Sequence, residues 1–203
     1  VSGGLPAVLA RAQDRGLLGP GPIDEHLRHA RRLAELVGPP ASFLDLGSGA
    51  GVPGLVLALA WPGATAVLLD SGHRRAEHLR AACVELGLTD RVTVVEARAE
   101  DAAREPAWRG RLPLVVARGF GPPAVTAECA VGFLEVGGEL VVSEPPGGAP
   151  ARWDPAGLAR LGLSDPEFRS GGGASVARLR LERAPGAEWP RRTGVPGRRP
   201  LWR

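Results

Sequence analysis

The stretch Phe43-Leu44-Asp45-Leu46-Gly47-Ser48-Gly49-Ala50-Gly51-Val52-Pro53-Gly54 decides how this chain is read. Residues 43–46 have the character of a buried strand. A glycine loop follows, and then the start of an apolar helix. Gly47, Gly49 and Gly51 let the backbone turn sharply and approach a ligand closely. In an open α/β sheet such a loop lies beyond the carboxyl end of its strand, where ligands bind. The helix after it is expected to offer free backbone N–H groups.

The spacing separates the ligand classes. A Walker loop is excluded, because no Gly-Lys-Ser/Thr follows. A dinucleotide fingerprint, G-x-G-x-x-G, would put its third glycine at position 52, which is Val52. The pattern is instead G-x-G-x-G, with Asp45 inside the strand and Asp70 ending the next one. A carboxylate at the end of that second strand suits a ribose diol. An acid beside a sulfonium and an α-ammonium group is favourable, and the same acid beside a pyrophosphate is not. The reading is therefore an S-adenosylmethionine site. A dinucleotide site and a purely structural glycine turn are the alternatives. The candidate donor-binding residues are Asp45, Gly47, Ser48, Gly49, Gly51 and Pro53 in the loop, and Asp70 and Ser71 after the second strand. Ala99 and Glu100, after the third strand, are placed to meet an adenine edge; the competing reading there is a solvated helix start whose acids favour the helix dipole.

Outward from the loop, strand-like and helix-like runs alternate. Strands are expected near 42–46, 66–69, 92–95, 112–117 and 139–143. Helices are expected near 53–60, 72–86 and 122–134, with a partly helical stretch over 99–109. Gly137-Gly138 reads as a turn, and 145–150 as a loop. Phe168 and 176–181 read as two closing strands around Gly171-Gly172-Gly173. Repeated βα units imply a Rossmann-like α/β fold, with a central, mostly parallel seven-stranded sheet whose last strand is antiparallel. Two amphipathic helices, near 5–18 and 22–37, precede it. The expected organisation is a helical extension over 1–40, the α/β domain over 41–183 and a basic tail over 184–203.

Composition narrows the classes. The 203 residues, 44% of them hydrophobic, suit one compact domain with short additions. All 25 basic residues are Arg, and net charge is only +3, so the charge balance alone says little about nucleic acid. No run is long and apolar enough to span a membrane, and no secretory signal is expected. Cys83 and Cys129 match no metal or redox spacing, so they read as core residues in a reducing cytoplasm, with no metal site expected.

At Asp45 to Gly54 the sequence resembles the RsmG (GidB) family, bacterial methyltransferases that modify a guanine N7 in 16S ribosomal RNA. The Gly51-Val52-Pro53-Gly54 continuation sets this resemblance apart from methyltransferases in general. Leu69-Asp70-Ser71 followed by Arg74-Arg75, then Arg98-Ala99-Glu100-Asp101 and Ala117-Arg118-Gly119-Phe120, agree in order and spacing. The ending Pro190-Arg191-Arg192 to Arg198-Arg199-Pro200-Leu201 resembles the family's terminal motif. Two pieces depart from the pattern. Ser143-Glu144-Pro145 replaces a lysine-bearing segment after the fifth strand. His29-Ala30 replaces an Asp-Ser or Asn-Ser-like pair that follows the helix histidine, here His26.

The resemblance implies a class I methyltransferase fold, S-adenosylmethionine as donor and 16S ribosomal RNA or the small ribosomal subunit as partner, with a monomer expected. It makes Arg118 the candidate for positioning the acceptor and also a donor-binding candidate, with His26 as a second candidate on the acceptor side. Phe120 reads as a base-stacking or core residue. The tail arginines read as phosphate contacts, with Trp189 and Trp202 as stacking candidates, or equally as a disordered basic tail. The departures admit two further readings: a related methyltransferase acting on a small metabolite or another RNA, and a non-catalytic donor-binding module.

Overall fold

The computed structural model describes residues 3–145 and 149–203. The expected 145–150 loop therefore lies partly outside the described residues. The elements in chain order are α1 (Leu5–Asp14), α2 (Ile23–Val37), β1 (Ser42–Leu46), α3 (Gly54–Ala60), β2 (Thr65–Asp70), α4 (His73–Glu85), β3 (Val92–Glu96), α5 (Ala99–Ala102), β4 (Leu112–Ala117), α6 (Pro123–Val131), β5 (Leu134–Glu144), α7 (Pro155–Leu161), β6 (Glu167–Gly171), β7 (Ala174–Arg180) and α8 (Val195–Arg198). The seven strands form one sheet in the order β3-β2-β1-β4-β5-β7-β6. β1 to β5 are parallel, and β7 runs antiparallel to both β5 and β6. This is the expected architecture. Strand order reverses between β1 and β4, which opens a crevice at their carboxyl ends.

Two apolar layers hold the sheet. On one face Phe43, Leu68, Val116 and Val141 pack with α1, α2, α3 and α4. On the other, Leu44, Leu46, Val115, Ala117 and Leu140 pack with α5, α6 and α7. Alternate residues of β1 thus enter opposite layers, as the pleat requires. Asp45 shares the side of Phe43, which aims its carboxylate at the start of α3.

Two local expectations change. Gly137 and Gly138 are not a turn but lie inside β5, which begins at Leu134 and shifts register against β4 between Leu112 and Leu114. A Cβ on Gly138 would lie 2.9 Å from the Leu112 carbonyl, so the glycines mark an irregular, tightly approached strand segment. Residues 184–203 pack onto the domain. Trp189 is buried, and Glu128 of α6 accepts three hydrogen bonds from Arg191: the backbone N–H at 2.9 Å, Nε at 2.8 Å and Nη2 at 2.6 Å. Trp202 donates Nε1–H to the Arg152 carbonyl at 2.9 Å. The Trp189 indole is therefore not presented for stacking, whereas Trp202 is half-buried. Both cysteines are buried, and burial pushes the Cys83 thiol up to about 11. No helix among the described residues is long and apolar enough to cross a membrane.

Candidate active site

The loop after β1 is held by hydrogen bonds that its glycines make possible. Gly47 and Ser48 both donate backbone N–H to the Leu69 carbonyl at 2.9 Å. Gly47 has φ +73°, and a Cβ there would lie 2.6 Å from Phe120 Cδ2. Position 47 therefore excludes a side chain on both conformational and steric grounds. Gly49 donates N–H to Asp70 Oδ2 at 2.9 Å, and Gly72 donates to Asp70 Oδ1 at 2.8 Å. Asp70 thus staples the glycine loop to the loop after β2. Each of its oxygens keeps a lone pair for a further donor.

Asp45 is 1% exposed. Its Oδ2 accepts the Gly54 N–H at 2.9 Å, so this N–H, expected to be free at the helix start, is already engaged. Ser48 Oγ donates to the Asp45 carbonyl at 3.0 Å. Burial pushes the Asp45 carboxyl up to about 7; the Gly54 N–H pulls against this.

Glu100 is 2% exposed. Its Oε1 accepts the Gly194 N–H at 2.9 Å and Arg98 Nη2 at 3.0 Å. Burial raises its pKa, but the Gly194 N–H and Arg98 outweigh burial and hold the carboxyl below its ordinary value. Asp45 Oδ1 and Glu100 Oε2 are buried acceptors with no hydrogen-bond partner. Buried polar atoms are normally paired, so an unpaired oxygen on Glu100, which lines the first cleft described below, and another on Asp45, behind the glycine loop, leave room for further donors.

Three adjoining clefts follow the carboxyl ends of the strands. The first, about 210 Å³, is lined by Gly47, Asp70, Ser71, Ala99, Glu100 and Phe120 among others. The second, about 390 Å³, shares Gly47, Arg75 and Gly119 with the first and adds Ser48, Gly49, Arg118 and His26. The third, about 300 Å³, shares Arg118 and His26 with the second and adds Arg28, His29 and the Gly172-Gly173 turn. Arg118 and His26 are thus the wall between the second and third clefts. Asp45, Gly51 and Pro53 line none of these three. Gly51 packs against Leu55, and Pro53 precedes α3, so both shape the loop from behind.

Sequence reasoning did not foresee several contacts. Phe120 lies over Gly47 in the first cleft, away from the acceptor side. Leu17, Leu18 and Gly19, from the α1–α2 connection, line the second cleft. His29 Nε2 lies 3.2 Å from Ser143 Oγ. These two residues sit at the two departures from the family pattern, and only the fold shows that they face each other. Glu144, the acid at the second departure, is buried. Its oxygens accept Trp153 Nε1–H at 3.2 Å and Arg152 Nη1 at 3.3 Å, so it is not presented to the clefts.

The model of the family described as rRNA small subunit methyltransferase G (GidB) matches residues 22–144. A ribosomal RNA small subunit methyltransferase G of Prochlorococcus marinus (strain MIT 9313) is 36% identical over 195 residues, covering 89% of this chain and 73% of that protein. One from Rubrobacter xylanophilus is 37% identical, covering 87% of this chain and 67% of the relative. Among solved structures, a T. thermophilus 16S rRNA N2 methyltransferase in complex with AdoMet and guanosine superposes with TM-score 0.54 at 24% identity, over 78% of this chain and 40% of that one. A putative O-methyltransferase from Klebsiella pneumoniae superposes with TM-score 0.60 at 15% identity, over 89% and 91%. The structural likenesses speak for the fold.

Proposed function

Since the chain belongs to the rRNA small subunit methyltransferase G family, we propose that it transfers the methyl group of S-adenosylmethionine to N7 of a guanine in small-subunit ribosomal RNA. The observation that carries this reading is the shared wall. Arg118 and His26 separate a cleft floored by the glycine loop from a cleft open to the N-terminal helices. A donor on one side and an acceptor base on the other would meet at that wall.

The residues present fit the donor. Asp70 retains lone pairs for a ribose diol. The unpaired Glu100 Oε2 suits an exocyclic amine, and the unpaired Asp45 Oδ1 suits an α-ammonium group. S-adenosylmethionine supplies an electrophilic methyl on a sulfonium when bound.

Guanine N7 carries an in-plane lone pair and no hydrogen, so no general base is needed before transfer. Positive charge leaves sulfur and appears on the purine. The protein's part is then mainly positioning, for which about 7–11 kcal/mol is available in favourable cases, together with dipoles fixed around the ring. Arg118 is suited to hydrogen-bond the guanine O6 or a phosphate, or to stack on a base. Burial lowers its pKa and Asp45 partly restores it, yet it remains a cation and cannot act as a base. The enzyme is read as acting in the cytoplasm as a monomer.

The test is incubation with labelled donor and, separately, 30S particles, naked ribosomal RNA and cell metabolites. Label in the particle or RNA, at guanine N7, is the expected result. Label only in metabolites or in another RNA would replace the substrate, and donor binding without any transfer would leave a binding module. Arg118→Ala should abolish transfer while donor affinity stays within a few-fold. Equal loss of donor binding would remove Arg118 from the acceptor side.

A further inference from the structure

Among the described residues Arg118 forms no ion pair. Its side-chain partner is His26, whose Nδ1 lies 3.2 Å from Arg118 Nη2. A guanidinium has donors and no acceptor, so Nδ1 must accept. The imidazole is then neutral, with its proton on Nε2. Protonating Nδ1 would point an N–H at a cation and break the contact.

The choice of partner matters physically. A carboxylate would hold Arg118 equally well but would neutralise it and compete with an incoming phosphate or carbonyl oxygen. A neutral imidazole restrains the long side chain, which otherwise loses much rotamer freedom on engaging substrate, and leaves its charge available. His29, one turn along α2, supports the arrangement. Its Nε2 reaches Ser143 Oγ at the end of β5, which fixes that turn of α2 beside the end of β4. Burial first, then the Arg118 charge, hold His29 below its ordinary pKa, so it too favours the uncharged form.

We propose that His26 is a positioning residue that holds Arg118 as a neutral hydrogen-bond acceptor, and that the His29–Ser143 contact pins the helix carrying it. The proposal rests on the methyl-transfer reading above and adds the protonation state in which the acceptor wall is assembled. The charged and titratable groups around His26 are Arg118 from β4, Glu25, Arg28 and His29 from α2 itself, and Arg75 from α4 across the second cleft. Asp45 of β1 acts on Arg118.

The experiment combines kinetics with histidine nitrogen NMR. Long-range proton–nitrogen spectra of the full chain at neutral pH, with the His26 signals assigned by their loss in His26→Asn, should show the Nε2–H tautomer with an unprotonated Nδ1. A Nδ1–H tautomer overturns the proposal whatever the substrate proves to be. In methylation assays His26→Ala should lower kcat by on the order of 100-fold with donor affinity kept. Asn places its carbonyl oxygen near the position of Nδ1, so His26→Asn should recover most of that loss. Gln carries its carbonyl one carbon further, to the Nε2 position, and should not rescue. Wild-type kcat in His26→Ala, or no rescue by His26→Asn, overturns the positioning role alone. Absence of transfer by the wild type from every acceptor overturns the methyl-transfer reading instead, and the spectra still decide the tautomer.

Discussion

Gly54 donates its backbone N–H to Asp45 Oδ2 at 2.9 Å, and the ideal Cβ position on Gly54 falls onto that oxygen and 2.5 Å from Leu68 Cδ2. The glycine that closes the Val-Pro-Gly sequence is therefore set by contact with the carboxylate nine residues before it. Gly54→Ala should overpack this corner at a cost of roughly 1–3 kcal/mol. The carboxylate would have to move, so donor affinity should fall as well. Urea unfolding and calorimetric titration with S-adenosylmethionine check both. Unchanged values in both would mean that the α3 start relaxes freely, against the tight contact seen here.

Asp45 carries a pH dependence whose sign can be worked out. Its folded-state pKa of about 7 lies above its ordinary value of 3.8, so the folded protein binds the extra proton between those values. Its contribution to stability is complete below about pH 4 and is lost as pH rises through about 7. At roughly 1.4 kcal/mol per pH unit the whole effect is on the order of 4 kcal/mol. Asp45→Asn should flatten this slope and make the ligand-free protein more stable than wild type at pH 8, while removing donor binding. An ammonium group placed beside Asp45 would favour its carboxylate, so donor binding at pH 6 should release a proton. The calorimetric heat should then vary with buffer ionisation enthalpy at pH 6 and not at pH 8. Buffer-independent heat at pH 6 would remove Asp45 from the ammonium role.

The Glu128–Arg191 pair ties the chain's last segment to α6. Glu128 is 0% exposed and accepts three donors from one residue. Arg191→Ala would leave that carboxylate buried without its cation, at a cost of about 3–5 kcal/mol. The same segment supplies the Gly194 N–H that restrains Glu100 in the first cleft. The variant should therefore lose donor affinity as well as stability, and Glu128→Gln in the same chain should return part of the stability. Full stability in Arg191→Ala would show that the docked segment contributes little to the fold.

What was legible in the sequence was local. The strand, the G-x-G-x-G loop and the acids at 45 and 70 lie within 28 residues of one another, and the roles proposed for them rest on spacing and charge. The mostly parallel sheet followed from repeated βα units. What was not legible depends on residues brought together from far apart. Arg191 and Glu128 are 63 positions apart, Gly194 and Glu100 are 94, and Arg118 and His26 are 92. Nothing local tells a docked basic segment from a free one. Gly137-Gly138 was misread for a related reason, because an internal strand irregularity and a turn place the same demand on glycine. His29 and Ser143 were each noticed as departures, but a pairwise contact is invisible when each position is judged alone.

The acceptor side should bind RNA through charge at one end of the strands and not at the other. Arg28 is exposed and lines the third cleft, whereas exposed Arg111 precedes β4 at the opposite end and donates to the Pro106 carbonyl at 2.7 Å. A cation that touches a phosphate adds to the slope of log affinity against log salt through counterion release. Arg28→Ala should reduce that slope by about one unit, and Arg111→Ala should leave it unchanged. Filter binding to small-subunit ribosomal RNA across a salt series measures both. Equal reductions would mean that the RNA path runs over both ends of the sheet, and a salt-insensitive affinity in the wild type would argue against an RNA substrate altogether.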